Sequence, residues 1–116
     1  MFTHPALLRE LTLVAEHLRR NGETEWSRRV VQSAEGLRKH GWTDEGQRHY
    51  RALYEGRPSL DQVRFGPEHQ RHTGGEAGAE QANARLERHR LKLAELAALP
   101  VRAAQPGPRQ RSPDLA

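Results

Sequence analysis

The fold is decided by residues 5–40, which read PALLRELTLVAEHLRRNGETEWSRRVVQSAEGLRKH. Leucine and valine recur there at helical intervals, first between Leu7 and Leu18 and again after Trp26. Such a period is typical of an amphipathic helix whose apolar stripe faces a core. The stretch therefore predicts two helices in succession, each with one apolar face.

The two helices are predicted over 5–20 and 24–40. Pro5 suits the first turn of the first helix, where a backbone N–H is not needed. Thr24 is a favourable N-cap for the second helix. Because only residues 21–23 join the helices, we expect an antiparallel hairpin.

Two more helices are predicted downstream. Thr43 precedes two acidic residues, which is a helix-start signal, and this shorter helix should end near Tyr54. A long helix is predicted from about Glu76 to Leu99, since Ala79, Ala82, Leu86, Leu93 and Leu96 follow the helical period.

The connection between these helices follows neither the helical nor the strand period. Residues 59–65 are expected either to be extended or to form a short turn capped by Ser59. Residues 66–75 contain a proline and paired glycines, which favours a loop.

The fold class that follows is all-α, a small bundle of three to four helices with a short extended or irregular segment near 59–65. We expect one helical domain over 1–99. Residues 100–116 carry four of the seven prolines and no apolar period, which predicts a disordered tail containing proline and arginine.

Composition and charge narrow the class of partner. The chain has no cysteine, so a disulfide or a thiolate nucleophile is excluded. No signal peptide and no apolar run of membrane-spanning length is visible, so we expect a cytoplasmic protein without a membrane partner. Residues 1–99 hold 16 basic and 14 acidic side chains, a net charge of +2, which is weak support for nucleic-acid binding.

The histidines raise the question of a metal site. His69 and His72 lie close in sequence, but the segment lacks the three or four ligands that structural sites use. We therefore expect solvated surface histidines, no metal and no cofactor. No serine lies in a nucleophile motif, so we predict that the protein is not an enzyme and has no catalytic residues.

Four side chains are candidates for partner binding. Arg85, Arg88 and Lys92 fall on one face of the last helix and form a basic stripe. Glutamates interleave this stripe, which favours a solvated face with paired charges; an acidic partner surface or a phosphate backbone is the alternative. Trp42 lies in the turn before the third helix. It either packs there as a staple or is an exposed interface anchor.

The order of these elements resembles an uncharacterised family of small bacterial helical domains. That family has a tryptophan early in helix two and a glycine-rich turn followed by Ser-Leu-Asn/Asp. The matching residues are Trp26, Gly56, Ser59, Leu60 and Val63. Glu55, Arg57 and Pro58 depart from the glycine-rich pattern. The resemblance implies no activity.

The function expected from the sequence is that of a small non-catalytic accessory protein, immunity-type by analogy. It would bind a protein partner or a second copy of itself. The alternative is a nucleic-acid-associated regulator that uses the basic face of the last helix. Steep weakening of binding by salt would separate the second role from an apolar interface.

Overall fold

The computed structural model describes residues 2–98 and shows an all-α bundle, as predicted. The α-helices are α1 (Pro5–Arg20), α2 (Thr24–His40), α3 (Asp44–Arg51), α4 (Gln70–Thr73) and α5 (Gly75–Ala98). Three short 3₁₀ turns lie at Ala52–Tyr54, Leu60–Gln62 and Pro67–His69, and none of residues 2–98 is in a strand. The helix count exceeds the prediction by one because α4, a single turn, was not expected.

α1 is the central helix of the bundle. It packs against α2, and α5 packs on it as well, while α3 lies against α2. His17 meets Ala82 and His4 meets Leu96, so α5 runs antiparallel to α1. The predicted α1–α2 hairpin is confirmed, with Pro5 at the start of α1.

The core is one cluster to which every long helix contributes. It includes the stripes predicted from the helical period, together with three apolar residues from the irregular segment. Those three are Leu60, Val63 and Phe65, each at most 5% exposed. The irregular segment is therefore part of the core, although its sequence shows no period.

The range of α2 is as predicted, but its N-cap differs from the prediction by one residue. Its N-cap is Glu23, and Thr24 is the first helical residue. Glu23 donates its backbone N–H to the carbonyl of Leu18 at 2.8 Å, which closes the turn one residue earlier than expected. Thr43, in contrast, caps α3 as predicted, because its hydroxyl accepts the N–H of Gly46.

Residues 59–75 contain more hydrogen-bonded turns than the sequence predicted. Ser59 precedes a single 3₁₀ turn, in which Gln62 Oε1 accepts the N–H of Ser59 at 2.9 Å, and the chain is extended at Val63. The predicted loop over 66–75 is wrong, since it contains a 3₁₀ turn and α4. Hydrogen bonds of His69 to Gly66 and Glu23 hold that turn.

Two side chains of α5 hold the irregular segment against the bundle. Arg90 Nη1 donates to the carbonyls of Leu60 and Val63, both at 3.0 Å. Asn83 accepts the N–H of Phe65 at 2.8 Å and donates to its carbonyl at 2.9 Å. These side chains therefore pair backbone N–H and carbonyl groups of the irregular segment, as a neighbouring strand would do in a sheet.

The predicted tail over 100–116 lies outside the described residues. Among residues 2–98, no helix is both long enough and apolar enough to span a membrane.

Candidate functional site

A cleft of about 610 Å³ opens where the C-terminal end of α1 meets α4 and the first half of α5. We call it the cationic cleft. It is lined by His17, Arg20, Asn21, His72, Thr73, Gly78, Gln81, Ala82, Ala84, Arg85 and Arg88. A smaller neighbouring cavity shares His17, Arg20 and Arg85, so the same side chains continue along the α1–α5 seam.

The wall of the cleft is set by contacts between α1 and α5. His17 Nε2 lies 2.8 Å from the carbonyl of Ala82 and ties the two helices together. Asn21 Nδ2 lies 3.4 Å from His17 Nδ1 and also donates to the His17 carbonyl. Since Asn21 donates towards Nδ1, the neutral tautomer with its proton on Nε2 satisfies both contacts.

His72 of α4 lies over the turn between α1 and α2. A Cβ at Gly22 would come 2.7 Å from the His72 ring, and Gly22 has φ +95°, a conformation that favours glycine. Glycine at this position therefore lets α4 approach the end of α1. The approach places an imidazole beside the arginines of α1 and α5.

The charged residues that line the cleft are basic. None of the described residues that line it is acidic. Within residues 2–98, no carboxylate lies within 4.0 Å of Arg85 or Arg88, and both side chains are exposed. Arg20 shares the carboxylate of Glu16 with Arg19, so its charge is partly neutralised.

The charges of α5 are divided between two flanks. Arg85 and Arg88 lie in the cationic cleft, whereas Glu80 and Glu87 line a separate cavity with Arg64. Glu87 pairs with Arg90 rather than with the arginines of the cleft. Of the predicted basic stripe, Lys92 is paired with a glutamate of the same helix, whereas Arg85 and Arg88 are exposed without a carboxylate within 4.0 Å among residues 2–98.

Burial lowers the pKa of His17 below its ordinary value. Neighbouring His89, Arg85 and Arg20 lower it further, and the hydrogen bond to Ala82 opposes them. His17 therefore favours the neutral form, which leaves its Nδ1 able to accept from Asn21. The formal positive charge of the cleft comes from its arginines.

This pKa shift predicts a loss of stability in acid. As pH falls below about 6.5 the unfolded chain takes up a proton at His17 before the folded chain does, so unfolding becomes more favourable until the folded pKa is passed. The free energy of unfolding, from urea titrations at pH 7.5 and 5.5, should fall less in His17→Gln than in the unchanged protein. Equal losses would show that His17 does not contribute.

The four residues that were predicted from the sequence to bind a partner do not all lie together in the structure. Arg85 and Arg88 lie together in the cleft, and Lys92 lies one turn beyond it, 3.7 Å from Glu95. Trp42 lies at the opposite end of α1 and is half-buried. Its ring centre lies 4.9 Å from that of His4, and its backbone N–H donates to the Phe2 carbonyl. Trp42 therefore packs against the edge of the core.

Sequence reasoning missed the contributions of His17, Arg20 and His72 to the cleft. No local signal marks them, because helix packing brings them beside α5. The expectation that the histidines are solvated is wrong for His69, which is 7% exposed, and for His4, which is 4% exposed. His69 lies 2.8 Å from Glu23 Oε2, and that contact joins the 3₁₀ turn to the start of α2.

Comparisons with protein-family models, curated proteins and solved structures return no match. The resemblance to small bacterial helical domains therefore stays a prediction.

Proposed function

We propose that this protein is a non-catalytic binding module that holds an acidic segment of a partner protein in the cationic cleft. The observation that carries the proposal is the pair Arg85 and Arg88, exposed in a cleft whose described lining has no acidic residue. Each guanidinium presents parallel N–H donors that match a carboxylate. Two of them one helical turn apart suit neighbouring acidic side chains.

The neutral lining of the cleft supports the same kind of ligand. Asn21, Gln81 and Thr73 add amide and hydroxyl groups beside the arginines. These groups are suited to the backbone of a bound peptide, which offers both N–H donors and carbonyl acceptors. The cleft thus combines charge recognition with contacts that a peptide backbone satisfies.

A nucleic acid is the second candidate, and the distribution of charge favours it less. A duplex or single strand is bound along an extended basic track. Here the basic charge of Arg85 and Arg88 covers only one turn of α5. Lys92, further along the helix, is paired with Glu95, and Glu80 and Glu87 lie on the other flank of α5. A compact acidic segment fits this arrangement better than a phosphate backbone.

Equilibrium binding of two probes tests the proposal. A fluorescein-labelled oligoglutamate peptide should bind, and more weakly as salt is added. The double variant Arg85→Glu, Arg88→Glu should weaken binding at least about tenfold, equivalent to about 1.4 kcal/mol. Lys92→Glu, a charge reversal of the same kind on the same helix, should change it less than about twofold.

Two results would contradict the proposal. One is unchanged peptide binding by the double variant while circular dichroism shows native helicity. The other is tighter binding of an oligothymidine of equal charge than of the peptide, which would support the nucleic-acid role instead.

A further inference from the structure

Two histidines and a glutamate converge where α2 ends beside α3. They are His40, the last residue of α2, and Glu45 and His49, one helical turn apart on α3. One potential ligand atom from each lies within 4.8 Å of the others. We call these three residues the α2–α3 cluster, and it lies outside the cationic cleft.

The packing of α3 against α2 sets the position of His49. A Cβ at Gly36 would come 2.4 Å from the His49 ring, so any other residue there would force the imidazole to move. A glycine in a helix interior costs about 1 kcal/mol relative to alanine. Ser33 also donates its hydroxyl to the His49 carbonyl at 2.9 Å.

The other two members are oriented towards His49. The rings of His40 and His49 are parallel, with centroids 5.3 Å apart and an interplanar angle of 9°. Glu45 Oε1 accepts a hydrogen bond from Arg48 Nη1 at 2.6 Å, and Glu45 Oε2 lies 3.6 Å from His49 Nε2. One carboxylate oxygen thus faces the imidazoles while the other is neutralised by an arginine.

We propose that the α2–α3 cluster binds a divalent transition-metal ion, with zinc the first choice. Two imidazoles and one carboxylate, with a fourth position left for water, form a ligand set that zinc uses. In a tetrahedral site the ligand atoms lie about 3.4 Å apart. The atoms of the cluster lie within 4.8 Å of one another, so an ion would draw these partly exposed side chains closer together.

The end of α2 favours a cation. His40 ends α2, where the carbonyl end of the helix dipole attracts positive charge. The other side chains nearby do not add to this effect, since Asp44 and Glu45 of α3 are opposed by Arg38, Lys39, Arg48 and Arg51. A bound ion would join α2 to α3 across the turn that contains Trp42.

Titration of untagged, full-length protein with zinc chloride tests the inference. Isothermal calorimetry should show one equivalent per chain. His40→Ala and His49→Ala should each weaken binding at least about tenfold, and Glu45→Gln should weaken it as well. Glu25→Gln is the matched control for Glu45→Gln, because Glu25 also pairs with an arginine three positions on, Arg28, and lies outside both sites; it should leave the zinc affinity unchanged. Zinc should raise the melting temperature of the unchanged protein but not that of His49→Ala.

The absence of binding at one equivalent would overturn the inference. So would equal zinc affinity in the cluster variants and in Glu25→Gln, because the ion would then be held by other groups. Cobalt gives an independent signal, since ligation by the cluster should produce visible absorption bands that His40→Ala loses.

Discussion

Trp26→Ala should lower the free energy of unfolding by about 3–5 kcal/mol, the range for removing a buried aromatic side chain. Trp26 is 7% exposed and belongs to the core cluster at the start of α2. The guanidinium of Arg29 lies 3.9 Å from the centre of its ring and covers the remaining side. Alanine would remove this packing and leave a cavity between helices. A domain of this size has about 5–15 kcal/mol of stability, so the variant should be close to unfolding.

Trp42→Ala is the matched control for this prediction. Trp42 is half-buried and packs at the edge of the core against His4 and Tyr50. Its loss should cost less than about 2 kcal/mol, since surrounding water reaches part of the space that it leaves. Urea denaturation followed by circular dichroism measures both variants. Equal destabilisation, or the reverse order, would contradict the assignment of Trp26 as the core anchor.

Arg90→Ala should lower the free energy of unfolding by about 2–4 kcal/mol. The side chain is 10% exposed and donates to the carbonyls of Leu60 and Val63. Hydrogen bonds from a charged donor contribute about 1.5–3 kcal/mol, and a buried acceptor left without a partner costs about 1–3 kcal/mol. The substitution would leave two such carbonyls and release the irregular segment from α5.

Two controls define the source of this loss. Arg88→Ala removes an exposed arginine from the same helix and should change stability by less than about 0.5 kcal/mol. Arg90→Lys keeps the charge but not the planar fork, so it should restore only part of the stability. Complete recovery with lysine would show that charge, rather than the paired hydrogen bonds, holds the segment.

The helices could be predicted because their signals are local. The apolar period gave α1 and α2 their registers, and Thr43 marked the start of α3. The segment between α3 and α5 could not be predicted in the same way. Its backbone is held by Asn83 and Arg90, which lie up to 30 positions away in sequence, and by the contact of His69 with Glu23.

In the candidate sites, too, local sequence signals identify some of the residues, whereas the others are brought in from distant parts of the chain. Arg85 and Arg88 are visible in the sequence because three positions separate them on one helix. Their partners in the cleft come from α1 and α4, so only packing reveals that the arginines line a concave surface. In the α2–α3 cluster, Glu45 and His49 have helical spacing, but nothing in the sequence places His40 beside them.

Binding of an acidic segment in the cationic cleft, as proposed, can be followed residue by residue in a nuclear magnetic resonance titration. Backbone amide shifts of the full-length protein would be followed as the oligoglutamate peptide is added. The predicted result is a saturable set of shifts centred on Arg20, His72 and Arg85, which Arg85→Glu, Arg88→Glu removes. Shifts that instead centre on Trp42, or that persist unchanged in the double variant, would contradict the claim.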